Sequence, residues 1–119
     1  MNKDLESLII YKQYMELMDY TNMIVKKFPK IEKYSLVSQI SDTTRYGMLW
    51  IIKGHKEYDK AKKIICLNNL DVNLKFLKVL VRLSYKNRYI NLKNYEAWSK
   101  KLKNIGNLLG AWIKSCLKR

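Results

Sequence analysis

The sequence predicts one all-α domain over residues 1–119, folded as an antiparallel up-down four-helix bundle. One proline and four glycines leave few points at which a helix must break. Apolar residues recur at steps of three and four along most of the chain, which is the period of an amphipathic helix. The chain is 48% hydrophobic and 12% aromatic, which suffices for one sizeable core. Four such segments joined by short loops favour an antiparallel bundle.

The first helix is predicted over about residues 4–27 and the second over about residues 34–54. Pro29 should end the first helix, because the residue before a proline avoids the α conformation. The apolar stripe of the first helix contains Ile10, Tyr14, Leu17, Thr21, Ile24 and Phe28. That of the second contains Val37, Ile40, Thr44, Gly47, Ile51 and Gly54. Its small residues allow a neighbouring helix to approach, and Gly54 is interpreted as a C-terminal glycine.

The third helix is predicted over about residues 57–87 and the fourth over about residues 92–117. The stripe of the third helix is the most regular and contains Leu67, Leu70, Leu74, Leu77, Val81 and Ser84. Asn91 is a suitable N-cap for the fourth helix. The stripe that follows contains Tyr95, Trp98, Leu102, Ile105, Leu109, Trp112 and Cys116.

The third helix carries a second apolar face. On a helical projection its members cluster away from the core stripe, and they are Val72, Phe76, Val79 and Leu83. A helix with two apolar faces is either central in its bundle or meets another subunit. Because each helix of a four-helix bundle normally keeps one side exposed, we expect these four residues to form an oligomer interface.

The positive charge is concentrated in the C-terminal part of the chain, whose formal net charge is +14. Residues 1–71 hold twelve basic and nine acidic residues, whereas residues 72–119 hold twelve basic residues and one acid, Glu96. An A/T-biased coding sequence can enrich lysine, but it should also enrich Asp and Glu, and it would not space the bases at helical intervals. The asymmetry therefore predicts a polyanionic partner, with nucleic acid as the first candidate.

Helical placement arranges these bases in two stripes. On the third helix Lys75, Lys78, Arg82 and Lys86 lie beside the second apolar face. On the fourth helix Lys93, Lys100, Lys103, Lys114 and Lys118 lie opposite the core residues. Lysines on an amphipathic helix commonly form only a solvated face, but such a face normally mixes charge signs. The predicted phosphate contacts are Lys75, Lys78, Arg82, Lys86, Arg88, Lys93, Lys100 and Lys103.

This surface should recognise the backbone and shape of a nucleic acid rather than its sequence, because lysine binds phosphate as a point charge and arginine binds it bidentately. Tyr85 and Tyr89 lie among the bases near the turn between the third and fourth helices. They can either stack on unpaired bases or lie half-buried beside the loop.

The sequence does not favour catalysis, a cofactor or a metal site. It holds no phosphate-binding glycine loop, metal-ligand cluster or paired-carboxylate motif. His55, the one histidine, is expected to cap a helix end or to be exposed. Asp42 and Arg45 are spaced for an ion pair, at the surface or between subunits. Cys66 and Cys116 are interpreted as reduced core cysteines.

The expected location is the cytoplasm, without a membrane span. Asp4 and Glu6 stand where a signal peptide would be basic and then apolar, and the longest apolar run, 48–52, has five residues. Binding to a membrane surface is an alternative, because the second apolar face borders the bases.

Three segments resemble the accessory variability determinant (Avd) proteins of diversity-generating retroelements: FPKIEKYSLVSQI at 28–40, LKVLVRLSYKNRYINLKNYE at 77–96 and KKLKNIGNLLGAWIKS at 100–115. The resemblance covers residues 28–116. The most specific part is Ile105-Gly106 followed by Leu109-Gly110-Ala111-Trp112-Ile113, with Ala111 where the family usually has a second glycine. Lys78 and Arg82 match positions that are commonly basic in that family.

A related family comprises the four-helix proteins encoded in intervening sequences of large-subunit ribosomal RNA genes. It shares FPK and the Gln39-Ile40 pattern, but it typically continues with Pro-Ser-Asn and Ala-Glu-Gly segments. This chain reads TTRYGMLWIIKGHKEY in that region, so Avd is the better match.

The Avd resemblance implies a barrel-like homopentamer with a positively charged surface. It also implies a noncatalytic subunit that binds a reverse transcriptase, template RNA and cDNA during mutagenic retrohoming. The alternative is a protein-interaction module of the ribosomal intervening-sequence type, which docks on an acidic partner or on its polymerase alone.

Overall fold

The computed structural model describes residues 5–118, with the side chain of residue 5 left out, and over that range it is an all-α four-helix bundle, as predicted. The helices are α1 (Leu5–Val25), α2 (Leu36–Lys56), α3 (Lys60–Lys86) and α4 (Leu92–Lys118), with a 3-10 turn at Lys30–Glu32. The predicted start of the first helix at residue 4 lies outside the described residues. The first helix ends four residues before Pro29, which precedes the 3-10 turn.

Each helix packs against two neighbours, in the cyclic order α1, α2, α3, α4. Contacts at the helix ends show that neighbours run antiparallel. Ser7 near the start of α1 contacts His55 at the end of α2, and Tyr85 at the end of α3 stacks on Tyr95 near the start of α4. The result is an elongated body of 46 × 25 × 19 Å.

The core consists of the predicted stripes. All six members of the α1 stripe and all six of the α3 stripe are buried, while Val37 of α2 and Tyr95 of α4 are half-buried. Polar groups that enter this core are hydrogen-bonded, as burial requires. The Tyr14 hydroxyl donates to the Thr44 carbonyl oxygen over 2.6 Å, and Trp98 Nε1 donates to Thr21 Oγ1 over 3.2 Å.

Two glycines of α2 allow close helix packing. The interpretation of Gly54 as a C-terminal glycine is wrong, because α2 continues to Lys56 and Gly54 is buried within it. A Cβ atom at Gly54 would lie 2.9 Å from Leu67 Cδ2 and 3.3 Å from Trp112 Cη2. At Gly47 a Cβ would overlap the Tyr14 hydroxyl. Gly47 therefore serves to make space rather than to allow a special backbone conformation, and at Gly54 a Cβ would displace the Leu67 side chain.

Side-chain and backbone caps define the ends of α3 and the start of α4. Asp59 Oδ2 accepts from Lys62 N over 2.9 Å, and Asn91 Oδ1 accepts from Asn94 N over 2.8 Å, which confirms Asn91 as an N-cap. At the end of α3, Arg88 N donates to Tyr85 O and Tyr89 N donates to Ser84 O. This pair of bonds is a Schellman motif, and its left-handed position holds Arg88, with φ 64°, instead of glycine.

Glu32 connects the α1–α2 and α3–α4 loops at one end of the bundle. Its Oε1 accepts from Ser35 Oγ and from Leu36 N, and its Oε2 accepts from the Tyr89 hydroxyl over 2.6 Å. The hydrogen bonds from Ser35, Tyr89 and Leu36 lower the pKa of Glu32. The same contact with the Glu32 carboxylate raises the pKa of Tyr89.

Candidate nucleic-acid interface

The basic residues of α3 lie on the exposed side of the helix that borders α4. Lys78 Nζ lies 3.9 Å from the position that a Cβ would take at Gly106 of α4. Arg82 and Lys86 line a cleft that also contains Tyr95 of α4. The α3 stripe is therefore continuous with the outer face of α4, and we call the two together the α3–α4 face.

Lys75 differs from the other predicted phosphate contacts of α3. Its Nζ lies 2.7 and 2.8 Å from the two carboxylate oxygens of Asp71, one turn earlier. The carboxylate compensates part of its charge, and both side chains are solvent-exposed. Within residues 5–118, no acidic side chain forms an ion pair with Lys78, Arg82 or Lys86.

The basic residues of α4 are exposed on the side opposite its core residues. This group consists of Lys93, Lys100, Lys103, Lys114 and Lys118. Glu96, the single acid of this half, is exposed one turn before Lys100. Lys101 lies off the stripe, with its Nζ 5.5 Å from the Tyr20 ring centroid of α1. Arg88 extends the charge to the α3–α4 loop, where its backbone is left-handed.

An open cleft of about 410 Å³ lies at the loop end of the α3–α4 face. It is lined by Arg82, Tyr85, Lys86 and Tyr95. The two tyrosine rings are stacked, with centroids 4.5 Å apart and planes 9° from parallel. Sequence reasoning identified Tyr85 but assigned Tyr95 only to the core stripe. The signal that was available is positional, because Tyr95 lies in the first turns of α4, opposite the last turns of an antiparallel α3.

Of the two roles considered for Tyr89, the structure has half-burial beside the loop. Its ring packs on Phe28 with centroids 5.4 Å apart, and its hydroxyl donates to Glu32. Tyr89 therefore joins the loops and does not face the cleft.

The predicted second apolar face of α3 is exposed in the protomer. Val72, Phe76, Val79 and Leu83 are 66%, 48%, 53% and 39% exposed. A further apolar surface, which sequence reasoning missed, runs along α1 and α2 and includes Leu8, Tyr11, Met15 and Ile52. A depression of about 270 Å³ lies in it, between the start of α1 and the end of α2. We call it the α1–α2 apolar surface.

The polar residues outside the α3–α4 face have structural roles. His55 is half-buried in the last turn of α2, and its Nδ1 shares a 2.7 Å hydrogen bond with Ser7 Oγ. Ser7 is only 3% exposed, so this hydrogen bond fixes the start of α1 against the end of α2. Asp42 and Arg45 form the expected ion pair, at 3.6 Å on the surface.

Residues 5–118 hold neither a metal-ligand group nor a helix that could span a membrane. Residues 5–118 contain no group of three or more His, Cys, Asp or Glu side chains placed to hold a metal ion. No helix within the same range has the length and apolarity needed to cross a membrane. Cys66 and Cys116 are free thiols, with Cys116 buried and Cys66 only half-buried.

Fold and surface together define a small, strongly basic four-helix-bundle protein whose charge lies on α3 and α4. The chain belongs to the bAvd-like family, whose model matches residues 8–116. This confirms the resemblance seen in the sequence.

A solved structure supports the fold independently. It is a crystal structure of a protein with unknown function from the S23 ribosomal protein family, from Bacteroides thetaiotaomicron VPI-5482. It aligns with a TM-score of 0.83 at 17% identity, and the alignment covers 92% of this chain and 99% of that one. No curated protein sequence matches the chain.

Proposed function

We propose that this protein is a noncatalytic accessory subunit of a diversity-generating retroelement that holds template RNA or nascent cDNA against a reverse transcriptase. The observation that carries the proposal is the α3–α4 face. It presents Lys78, Arg82 and Lys86 without an acidic partner among the described residues, next to the exposed lysines of α4. Membership of the bAvd-like family supports the same role.

Phosphate binding accounts best for a surface of one charge sign. Uncompensated bases repel one another, and a surface kept only for solubility would mix signs. Each phosphate that they neutralise releases condensed counterions, so binding gains free energy without any sequence-specific contact. The spread of bases over Lys78, Arg82 and Lys86 and the α4 lysines suits an extended backbone rather than one small anion.

The assembly that we propose is the homopentamer implied by the family resemblance. The protomer exposes two different apolar surfaces, the second face of α3 and the α1–α2 apolar surface. When one surface contacts the other on a neighbouring copy, the contact is heterologous and can close into a ring. Because Lys78 and Arg82 are on the same helix as Phe76 and Val79, a ring would repeat the basic stripe around its axis.

The second candidate is a protein-interaction module without nucleic-acid binding, of the kind that docks on a polymerase alone. The specific observation in its favour is the exposure of the same two apolar surfaces, because contiguous apolar residues at a protein surface are typical of protein–protein contacts. This second candidate requires the lysine and arginine side chains to contact acidic groups of a protein instead of phosphates.

Co-purification separates the two candidates. The chain is expressed with the reverse transcriptase and template RNA, and again with template RNA alone, and retained RNA is measured. The variant Lys78→Glu, Arg82→Glu, Lys86→Glu should lose the RNA. The matched control Lys12→Glu, Lys26→Glu, Lys27→Glu changes the net charge equally at exposed residues of the α1 region and should keep it.

RNA retention by the α3 variant equal to that of the wild type would remove the α3 stripe from the proposal. Wild-type protein that retains the polymerase but no RNA in either preparation would establish the interaction module instead.

A further inference from the structure

We infer that the cleft formed by Arg82, Tyr85, Lys86 and Tyr95 binds an unpaired nucleotide, whose base stacks on Tyr85 while its phosphate contacts Arg82 and Lys86. This rests on the proposed function, because it assumes that nucleic acid reaches the α3–α4 face. It adds a selection for single-stranded segments, which a stripe of lysines does not provide.

The tyrosine pair supplies a preformed stacking platform. Tyr95 is half-buried and packs against the core, so it fixes the inner layer of the stack. Tyr85 lies over it in near-parallel contact and is 36% exposed. The pair holds Tyr85 with one ring face against Tyr95, and Tyr85 also lines the cleft. A base that stacks on the other ring face of Tyr85 would extend the stack to a third layer.

Arg82 and Lys86 lie beside Tyr85, where they can contact the phosphate of a nucleotide whose base stacks on that ring. Arg82 precedes Tyr85 by three residues, so both lie on the same side of α3, and Lys86 follows directly. The guanidinium can bind phosphate bidentately while the ammonium acts as a point charge. None of the four residues that line the cleft is acidic. The volume of the cleft, about 410 Å³, falls in the range of ordinary ligand pockets.

A paired base cannot use this platform, because its two ring faces are already covered by its neighbours in the duplex. Single strands expose their bases, and stacking on an aromatic side chain is tolerant of base identity. The site therefore discriminates strand state and not sequence.

Fluorescence anisotropy with a labelled twelve-nucleotide strand and a twelve-base-pair duplex without a loop tests this, each made as RNA and as DNA to distinguish the two sources of unpaired nucleotides. Tyr85→Leu should weaken single-strand binding by about 5- to 150-fold, equivalent to roughly 1–3 kcal/mol for one stacked base, and leave duplex binding unchanged. Tyr85→Phe should bind like the wild type. Tyr46→Leu, which removes an exposed tyrosine of α2, is the matched control and should have no effect.

Photocrosslinking gives a second readout that does not depend on a variant. A single strand that carries 5-iodouracil should form its main adduct with Tyr85 of the wild-type protein. Equal loss of strand and duplex binding in Tyr85→Leu, unchanged binding of both, or adducts only outside the cleft would overturn the inference while the proposed function stands. If the wild-type protein binds none of the four nucleic acids, both this inference and the proposed function are overturned.

Discussion

Replacing Gly47 with alanine tests whether α1 and α2 pack as closely as the structure shows. In an exposed helix interior this change stabilises by roughly 1 kcal/mol, because alanine is the better helix former. Here the new Cβ would overlap the Tyr14 hydroxyl and lie 3.0 Å from Tyr14 Cε2. Tyr14 is fully buried, so it cannot move into solvent.

For Gly47→Ala the steric destabilisation exceeds the gain in helix propensity. Overpacking a core costs about 1–3 kcal/mol. Displacing Tyr14 also breaks its 2.6 Å hydrogen bond to the Thr44 carbonyl, and leaving a buried polar group unpaired costs about 1–3 kcal/mol. After the helix-propensity gain of roughly 1 kcal/mol, we expect a net loss of about 1–5 kcal/mol in the free energy of unfolding.

Urea unfolding followed by circular dichroism measures this difference. The matched control is Gly110→Ala on α4, where a Cβ meets no atom of the protomer within 4 Å. It should stabilise the protein by up to about 1 kcal/mol. If Gly47→Ala stabilises the protein as much as Gly110→Ala does, the close approach of Tyr14 to α2 is wrong.

Four other substitutions test further contacts and surfaces of the structure. Arg88→Gly should stabilise the protein by about 1 kcal/mol in urea unfolding, because glycine adopts the left-handed position without strain, and it should weaken RNA binding; a destabilised variant would contradict the Schellman assignment. Glu32→Gln should lower the melting temperature at neutral pH but not at acid pH. Because the pKa of Glu32 is lowered in the folded state, its contribution to folding stability is present above the ordinary carboxyl pKa and is lost as pH falls through the folded-state pKa. Because the pKa of Tyr89 is raised, the contribution of Tyr89 to folding stability is lost as pH rises through its folded-state pKa. A difference in melting temperature that does not depend on pH would contradict this. Phe76→Asp and Leu83→Asp should reduce the mass seen by light scattering from that of the proposed pentamer, five times 14.3 kDa, to that of smaller species, and an unchanged mass in both would remove this face from the proposed assembly.

The helical architecture was predictable because it depends on local periodicity. Every member of the α3 core stripe is buried, and the Asn91 cap is formed, since spacing and capping are properties of neighbouring residues. Gly54 was misinterpreted for the same reason. A glycine near a helix end looks like a C-terminal glycine locally, and its true role depends on Leu67 and Trp112 of other helices.

The candidate site was predictable in charge but not in detail. The helical projection placed Lys78, Arg82 and Lys86 on one exposed side, and the structure has them there. The four-residue spacing of Asp71 and Lys75 favours the ion pair that the structure has, but the helical projection considered only the bases and overlooked this signal. The positions of Tyr89 and Tyr95 depend on tertiary contacts: Tyr89 donates to Glu32, and Tyr95 stacks on Tyr85.

The dependence of RNA affinity on salt concentration tests the central proposal most directly. Binding of the wild type should weaken steeply with salt, with a slope of log K against log salt of about −0.9 per neutralised phosphate for duplex and about −0.7 for single strands. The variant Lys78→Gln, Arg82→Gln, Lys86→Gln should reduce the magnitude of that slope by about 2–3. The matched control Lys12→Gln, Lys26→Gln, Lys27→Gln should leave it unchanged. Equal slopes for wild type and α3 variant would contradict phosphate binding by the α3–α4 face.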